Sequence, residues 1–175
     1  AADITAKSSA KESVQMMYET ILSPIHYGGM QLKNRIIFAP TTFGLSDEEY
    51  LARIRAIAQG GCAMIIVGDV PVGKSRFEKS LFDTKGFAFY QQVVKIAHDA
   101  DCKVCAQLHQ SDSNLLAMFK YIPGLLLKKI TPDQLREKLN AEVAPYITKM
   151  SKRKIRTIIS GFGKAAALAK QAGFD

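Results

Sequence analysis

The stretch GGCAMIIVGDVPVGKS (residues 60–75) supports two readings that lead to different folds. Its first part, AMIIV (63–67), is apolar throughout and rich in β-branched residues, as a strand buried on both faces of a parallel sheet should be. Its second part, GDVPVGKS (68–75), satisfies G-x-x-x-x-G-K-[ST], the pattern of a phosphate-cradling P-loop. At ordinary residue frequencies those four fixed positions recur by chance in about one chain in a hundred of this length. A P-loop also needs a stable helix directly after the motif and a later apolar strand ending in Asp to hold magnesium. After Ser75 the chain reads RFEKSLFDTKG, with Gly86 closing it, and the later apolar stretch KVCAQL (103–108) runs into His109 instead of an acid. The P-loop over Gly68–Ser75 is therefore the remote alternative, and the strand carries the fold.

Working outward, the same strand-then-helix unit recurs. RIIFAP (35–40) reads as a strand. It is followed by Ser46 as an N-cap, Glu49 as the return half of a capping box, apolar Leu51, Ile54 and Ala58 at helical spacing, and Gly60 as the stop. After AMIIV comes FAFYQQVVKIAHDAD (87–101), with Phe89, Val93 and Ala97 on one side, and then the third strand, KVCAQL. Residues 109–130 read as irregular, with a Pro-Gly turn at 123–124. A short helix opens at Thr131, with Pro132 at its first position and Gln134 completing a second capping box. A last helix spans 151–172 and stops at Gly173. Phe174-Asp175 then reads as the approach to a fourth strand. Repeated β-then-α units with no hairpin signals predict a parallel sheet.

Composition narrows the function classes. With 175 residues, 47% hydrophobic and 23% charged, the chain suits one globular domain with a real core. No apolar run approaches the roughly 20 residues that cross a bilayer. The opening AADITAKSSAKESVQ lacks a signal-type apolar core, so residues 1–20 read as a flexible polar arm and 21–175 as the folded part. Cys62, Cys102 and Cys105 are too few for a disulfide framework. The C-x-x-C at 102–105 lies on a strand, where residues three apart face opposite ways, so no metal site is expected and the thiols read as small buried groups in a cytoplasmic protein. The net charge of +8 is concentrated after residue 127, with Lys128, Lys129, Arg136, Lys138, Lys149, Lys152, Arg153, Lys154 and Arg156 facing only Asp133, Glu137 and Glu142. Without interleaved aromatics this reads as a solvated face, not a nucleic-acid or membrane surface, and it leaves a phosphate-bearing small ligand open.

The strand ends carry a resemblance. LSPI (22–25) with LKNRIIFAPTT (32–42), GGCAMIIVGD (60–69) with the loop VPVGKS, HDADCKVCAQL (98–108) and FGKAAALAKQAGFD (162–175) together resemble, in order, four blocks of the old yellow enzyme family. These are the FMN-dependent ene-reductases that include the 2,4-dienoyl-CoA reductases. The resemblance implies an α/β fold, a partial (β/α)8 barrel of about three β/α units plus an inserted helical segment. It implies FMN as cofactor, NAD(P)H as reductant and an activated alkene as substrate. In such barrels the chemistry sits at the C-terminal strand ends. By resemblance, Ala39, Pro40 and Thr41 line the flavin with backbone groups, Thr42 offers it a hydroxyl, Gly68 and Asp69 end the second strand against it, and the Gln107 amide meets its pyrimidine edge. Asp69 and Gln110 depart from the family, which has a small residue at the first position and a histidine at the second. His26, His98, His109 and Lys74 receive no role. The family's substrate-binding pair lies past AGFD, so no catalytic residue is assigned, and the chain reads as incomplete on its own. The competing expectation is a non-catalytic partial barrel that self-associates or pairs with a complementing C-terminal chain through its open sheet edge.

Overall fold

The computed structural model describes residues 18–75, 78–110 and 115–175. The expected polar arm lies, through residue 17, outside them. A short helix α1 (Glu19–Leu22) leads into a hairpin of β1 (Ile25–Tyr27) and β2 (Met30–Leu32), paired antiparallel. This corrects the expectation of no hairpin. Gly28 and Gly29, at φ 55° and 83°, supply the two positive φ values that a two-residue turn requires, and the flanking strands are only three residues each.

The main sheet is parallel, in the order β3 (Ile37–Phe38), β4 (Met64–Pro71), β5 (Lys103–His109). Ile37 pairs with Met64, and Met64 with Lys103. Beyond β5 the backbone N–H of Asp175 donates to the Val104 carbonyl at 2.9 Å, so the chain takes up the position of a fourth strand. Among the described residues no closed barrel forms. The sheet is one wall of a (β/α)8 barrel, as the sequence implied.

Three helices cover the outer face: α2 (Asp47–Gln59), α3 (Thr84–His98) and, after the excursion of α4 (Leu115–Leu126) and α5 (Pro132–Thr148), α6 (Lys152–Ala172). The Ser46/Glu49 and Thr131/Gln134 capping boxes form as read. Ile54 and Ala58 of α2, Phe89, Val93 and Ala97 of α3, and Ala169 and Ala172 of α6 close over Ile65, Val67 and Val104 in one buried cluster. Burying a side chain such as Val93 contributes roughly 1.5–3 kcal/mol. Cys62 and Cys102 lie in that core with their sulfurs 3.6 Å apart, and Cys105 is half-buried. Burial, reinforced by Cys62, pushes the Cys102 thiol up to about 12.

Two readings need correction in the inserted segment. Residues 115–126 are helical, not irregular: Pro123 lies within α4, three residues before its end, where a missing N–H removes one bond from a helix that is otherwise apolar and well formed. The helix from Pro132 is not short. It runs for 17 residues, through Pro145. α4 and α5 are tied by Lys120 and the Tyr121 hydroxyl, both donating to Glu142 Oε1 at 3.1 and 2.9 Å. Among the described residues, no helix is long and apolar enough to cross a membrane.

Candidate active site

Parallel strands aim their C-terminal ends the same way, so the segments after β3, β4 and β5 gather on one rim. At their meeting point stands Gly68. A Cβ built there would lie 3.3 Å from Pro40 Cβ, 3.4 Å from the Thr41 nitrogen and 3.6 Å from Gln107 Oε1. Two segments, the one after β3 and the end of β5, thus close on Gly68 of the third, and the absence of a side chain there keeps the space between them clear. Ala39, Thr41 and Gln107 are exposed there, and Pro40 and Gly68 half-buried. A flat group fits this cradle: a small floor at Gly68, backbone on the β3 side, and an amide on the β5 side that can both donate and accept.

Asp69 takes an unusual conformation. The β4–β5 register shifts between Val67 and Val70, a bulge, and Asp69 within it has φ 54°. Asp tolerates the left-handed region better than most residues with a side chain. The bulge turns its carboxylate to Thr42, whose hydroxyl donates to Oδ2 at 2.6 Å, with His109 Nδ1 4.0 Å from Oδ1. A hydroxyl has one proton to give, so Thr42 presents only lone pairs to anything else while Asp69 is ionised.

Behind these strand ends lies a cavity of about 260 Å³, bordered by Thr41, Gly68 and Asp69 and closed by Tyr50, Lys79 and Tyr90. Lys79 pairs with Asp47 at the start of α2, and its ammonium lies 4.5 Å from the centre of the Phe89 ring. The Tyr90 hydroxyl donates to the Lys79 carbonyl at 3.1 Å, and burial pushes its phenol far above the ordinary value. Burial also raises Tyr50. These closing residues were not singled out in the sequence. Tyr90 falls at helical spacing with Val93 and Ala97, and that signal reads only as core.

The P-loop reading fails on geometry. Gly68 to Pro71, half of the motif, are strand residues of β4, and the next helix among the described residues begins only at Thr84. The motif's backbone N–H groups therefore do not lead into a helix N-terminus. Of the histidines left without a role, His98 donates from Nε2 to Asp175 at 2.7 Å, far from this rim, as a structural contact.

The chain is 54% identical over 160 residues to a bilirubin reductase of Clostridium symbiosum, a match covering 91% of this chain and 43% of that protein. It is 25% identical over 162 residues to a bilirubin reductase of Mediterraneibacter gnavus, covering 89% of this chain and 24% of that protein. The chain thus spans less than half the length of these relatives. In structure it is similar to the old yellow enzyme from Pichia sp. AKU4542, with a TM-score of 0.65 at 20% identity over 89% of this chain and 44% of that one, a likeness of fold. Residues 20–175 match the NADH:flavin oxidoreductase / NADH oxidase family, and the chain belongs to it.

Proposed function

We propose that this chain forms the first wall of an FMN-dependent oxidoreductase that reduces an activated alkene with NAD(P)H. The observation that carries the reading is the convergence of Pro40, Thr41 and Gln107 around Gly68. FMN, when bound, supplies the two-electron relay between reductant and alkene. Gly68 leaves room for a flat ring, backbone groups of Ala39, Pro40 and Thr41 border it, and the Gln107 amide offers a donor and an acceptor at its edge. Thr42 acts differently from the family expectation: with its proton committed to Asp69, it accepts instead of donating. The relatives' name supports a substrate of bilirubin's kind, whose conjugated double bonds are activated alkenes. The reduced thiols support a cytoplasmic setting.

The test is an FMN titration of the chain, alone and together with a polypeptide supplying the remaining strands, followed by flavin absorbance and fluorescence. Reduction of bilirubin by NADH is measured alongside. Flavin signals should change in a way that Gly68→Val suppresses, and turnover should require the added strands. A flavin spectrum that neither preparation alters removes the reading.

A second reading has its own observation. Ile36 and Ile37 are 42% and 44% exposed, and β3 is paired on one side only among the described residues. An apolar, half-paired edge favours association with another copy or with a complementing chain. Light scattering on the colourless protein tests this: a stable oligomer without flavin supports a non-catalytic assembly, and a monomer that turns yellow only with a partner supports the first reading.

A further inference from the structure

The cationic segment that read as a solvated face is not uniformly so. Arg153, Arg156, Ser160 and Lys164 recur along one side of α6, and that side looks onto the loop leaving β4. The approach is close: a Cβ on Gly161 would lie 2.6 Å from the Val72 carbonyl oxygen, so glycine is what lets the helix rest on this loop. Between them runs a groove of about 570 Å³, floored by Val72 and Phe82 and walled by the three cations. Among the described residues, no carboxylate lines it, and none of the three cations makes an ion pair or a side-chain hydrogen bond. Thr157 donates back to the Arg153 carbonyl at 3.0 Å, which leaves Ser160 as the hydroxyl donor.

The placement of these charges is unfavourable in itself. The first turn of α6 carries Lys152, Arg153 and Lys154 with no acid, at the positive end of the helix dipole. A bound anion would relieve both the mutual repulsion and the dipole term. Two guanidinium forks, an ammonium and a hydroxyl suit phosphate oxygens, and an aromatic ring beside an aliphatic side chain suits a base.

We propose that this groove binds a nucleoside phosphate, with the phosphates on Arg153, Arg156 and Lys164 and the base against Phe82. Val72 follows Gly68 by four residues, a span of at most about 14 Å and within reach of an extended dinucleotide. The groove then holds the adenosine-phosphate end of the nicotinamide reductant, a step that rests on the oxidoreductase reading above.

The groove is tested without flavin or turnover, by calorimetric titration of the chain with ADP, pyrophosphate, adenosine, succinate and a short duplex DNA. ADP should bind most tightly, pyrophosphate more weakly, and adenosine and succinate weakest. Arg156→Gln and Lys164→Gln, both exposed and expected to leave the melting temperature unchanged, should each weaken ADP about tenfold. Phe82→Ala should bring ADP down to the level of pyrophosphate. Raising salt to about 0.5 M should weaken every phosphate ligand. ADP binding that is absent, no tighter than succinate, indifferent to the two charge variants, or surpassed by duplex DNA overturns the proposal. ADP binding together with a flavin spectrum that neither preparation alters leaves the groove standing and removes the FMN-dependent reading, and the reverse pattern does the opposite.

Discussion

Asp175 offers the sharpest test of how the wall is held together. Its backbone N–H donates to the Val104 carbonyl, and its side chain accepts three further bonds: from Val104 N–H at 2.9 Å, Lys103 Nζ at 2.8 Å and His98 Nε2 at 2.7 Å. The carboxylate thereby occupies a ladder position beside β5, with its side chain 13% exposed. Asp175→Ala leaves the Val104 N–H, on a residue with no exposure, without its acceptor, at a cost of about 1–3 kcal/mol. The two ion-pair partners are each 41% exposed and add little once screening is counted. The sum is about 2 kcal/mol, a fall in Tm of about 6 °C for a domain of this size. pH separates the carboxylate from mere packing. Burial raises the acid most, but donation from Lys103, His98 and Val104 outweighs it and holds the carboxyl below its ordinary value. A depressed acid contributes stability above its unfolded pKa, about 3.9, and loses it as pH falls through the lower folded value. Urea unfolding at pH 7 and below pH 4 should therefore show the gap between wild type and Asp175→Ala narrowing in acid. Equal midpoints at pH 7, or a gap constant down to the lowest pH, would refute the reasoning.

Three further perturbations separate fold from site. Gly68→Ala needs shifts of only a few tenths of an ångström and should leave Tm within about 3 °C, whereas Gly68→Val fills the cradle and should weaken FMN by at least about tenfold in fluorescence titration. In Gly86→Ala the new Cβ would lie 2.6 Å from the backbone nitrogen of Ser80, a buried residue fixed by its bond to the Gly73 carbonyl. A Tm loss of about 5 °C or more is expected by calorimetry. Asp69→Gly removes a left-handed residue worth about 1 kcal/mol of strain along with an exposed hydrogen bond of similar size, so the urea midpoint should stay put while Thr42 gains a free donor.

Much of this architecture was legible because its signals are local and redundant. α2 is announced at both ends, by the Ser46/Glu49 box and by Gly60, with a period of apolar residues between them. β4 needs no flanking information, since a run as apolar as AMIIV can only be buried. The misses are places where one local signal was weighed alone. Gly28-Gly29 makes a hairpin turn only in company with strands too short to show alternation, and Pro123-Gly124 reads as a turn unless the apolar stretch before it is given the weight that it has in α4. The basic segment after residue 127 divides for a different reason. Sequence shows which residues are charged, but whether Arg156 faces water or a loop 84 residues earlier depends on how α6 returns to the sheet, and Gly161 decides that by contact.

The strand ends show the same limit more finely. Block resemblance brought Pro40, Thr41, Gly68 and Gln107 to one rim because strand order and parallel direction are enough to do so. It marked Asp69 as a departure without indicating the remedy. The structure supplies its partner: at the bulge that breaks the β4–β5 register, the extra carboxylate accepts from Thr42. The acid and the hydroxyl therefore have to be read as a unit. An added negative charge beside a flavin would disfavour its reduction, and a threonine whose proton faces that charge cannot offset it by donating to the ring. If FMN occupies the cradle, Asp69→Gly should therefore raise its reduction potential in a spectroelectrochemical titration, and an unchanged potential would show that the carboxylate does not act on the ring.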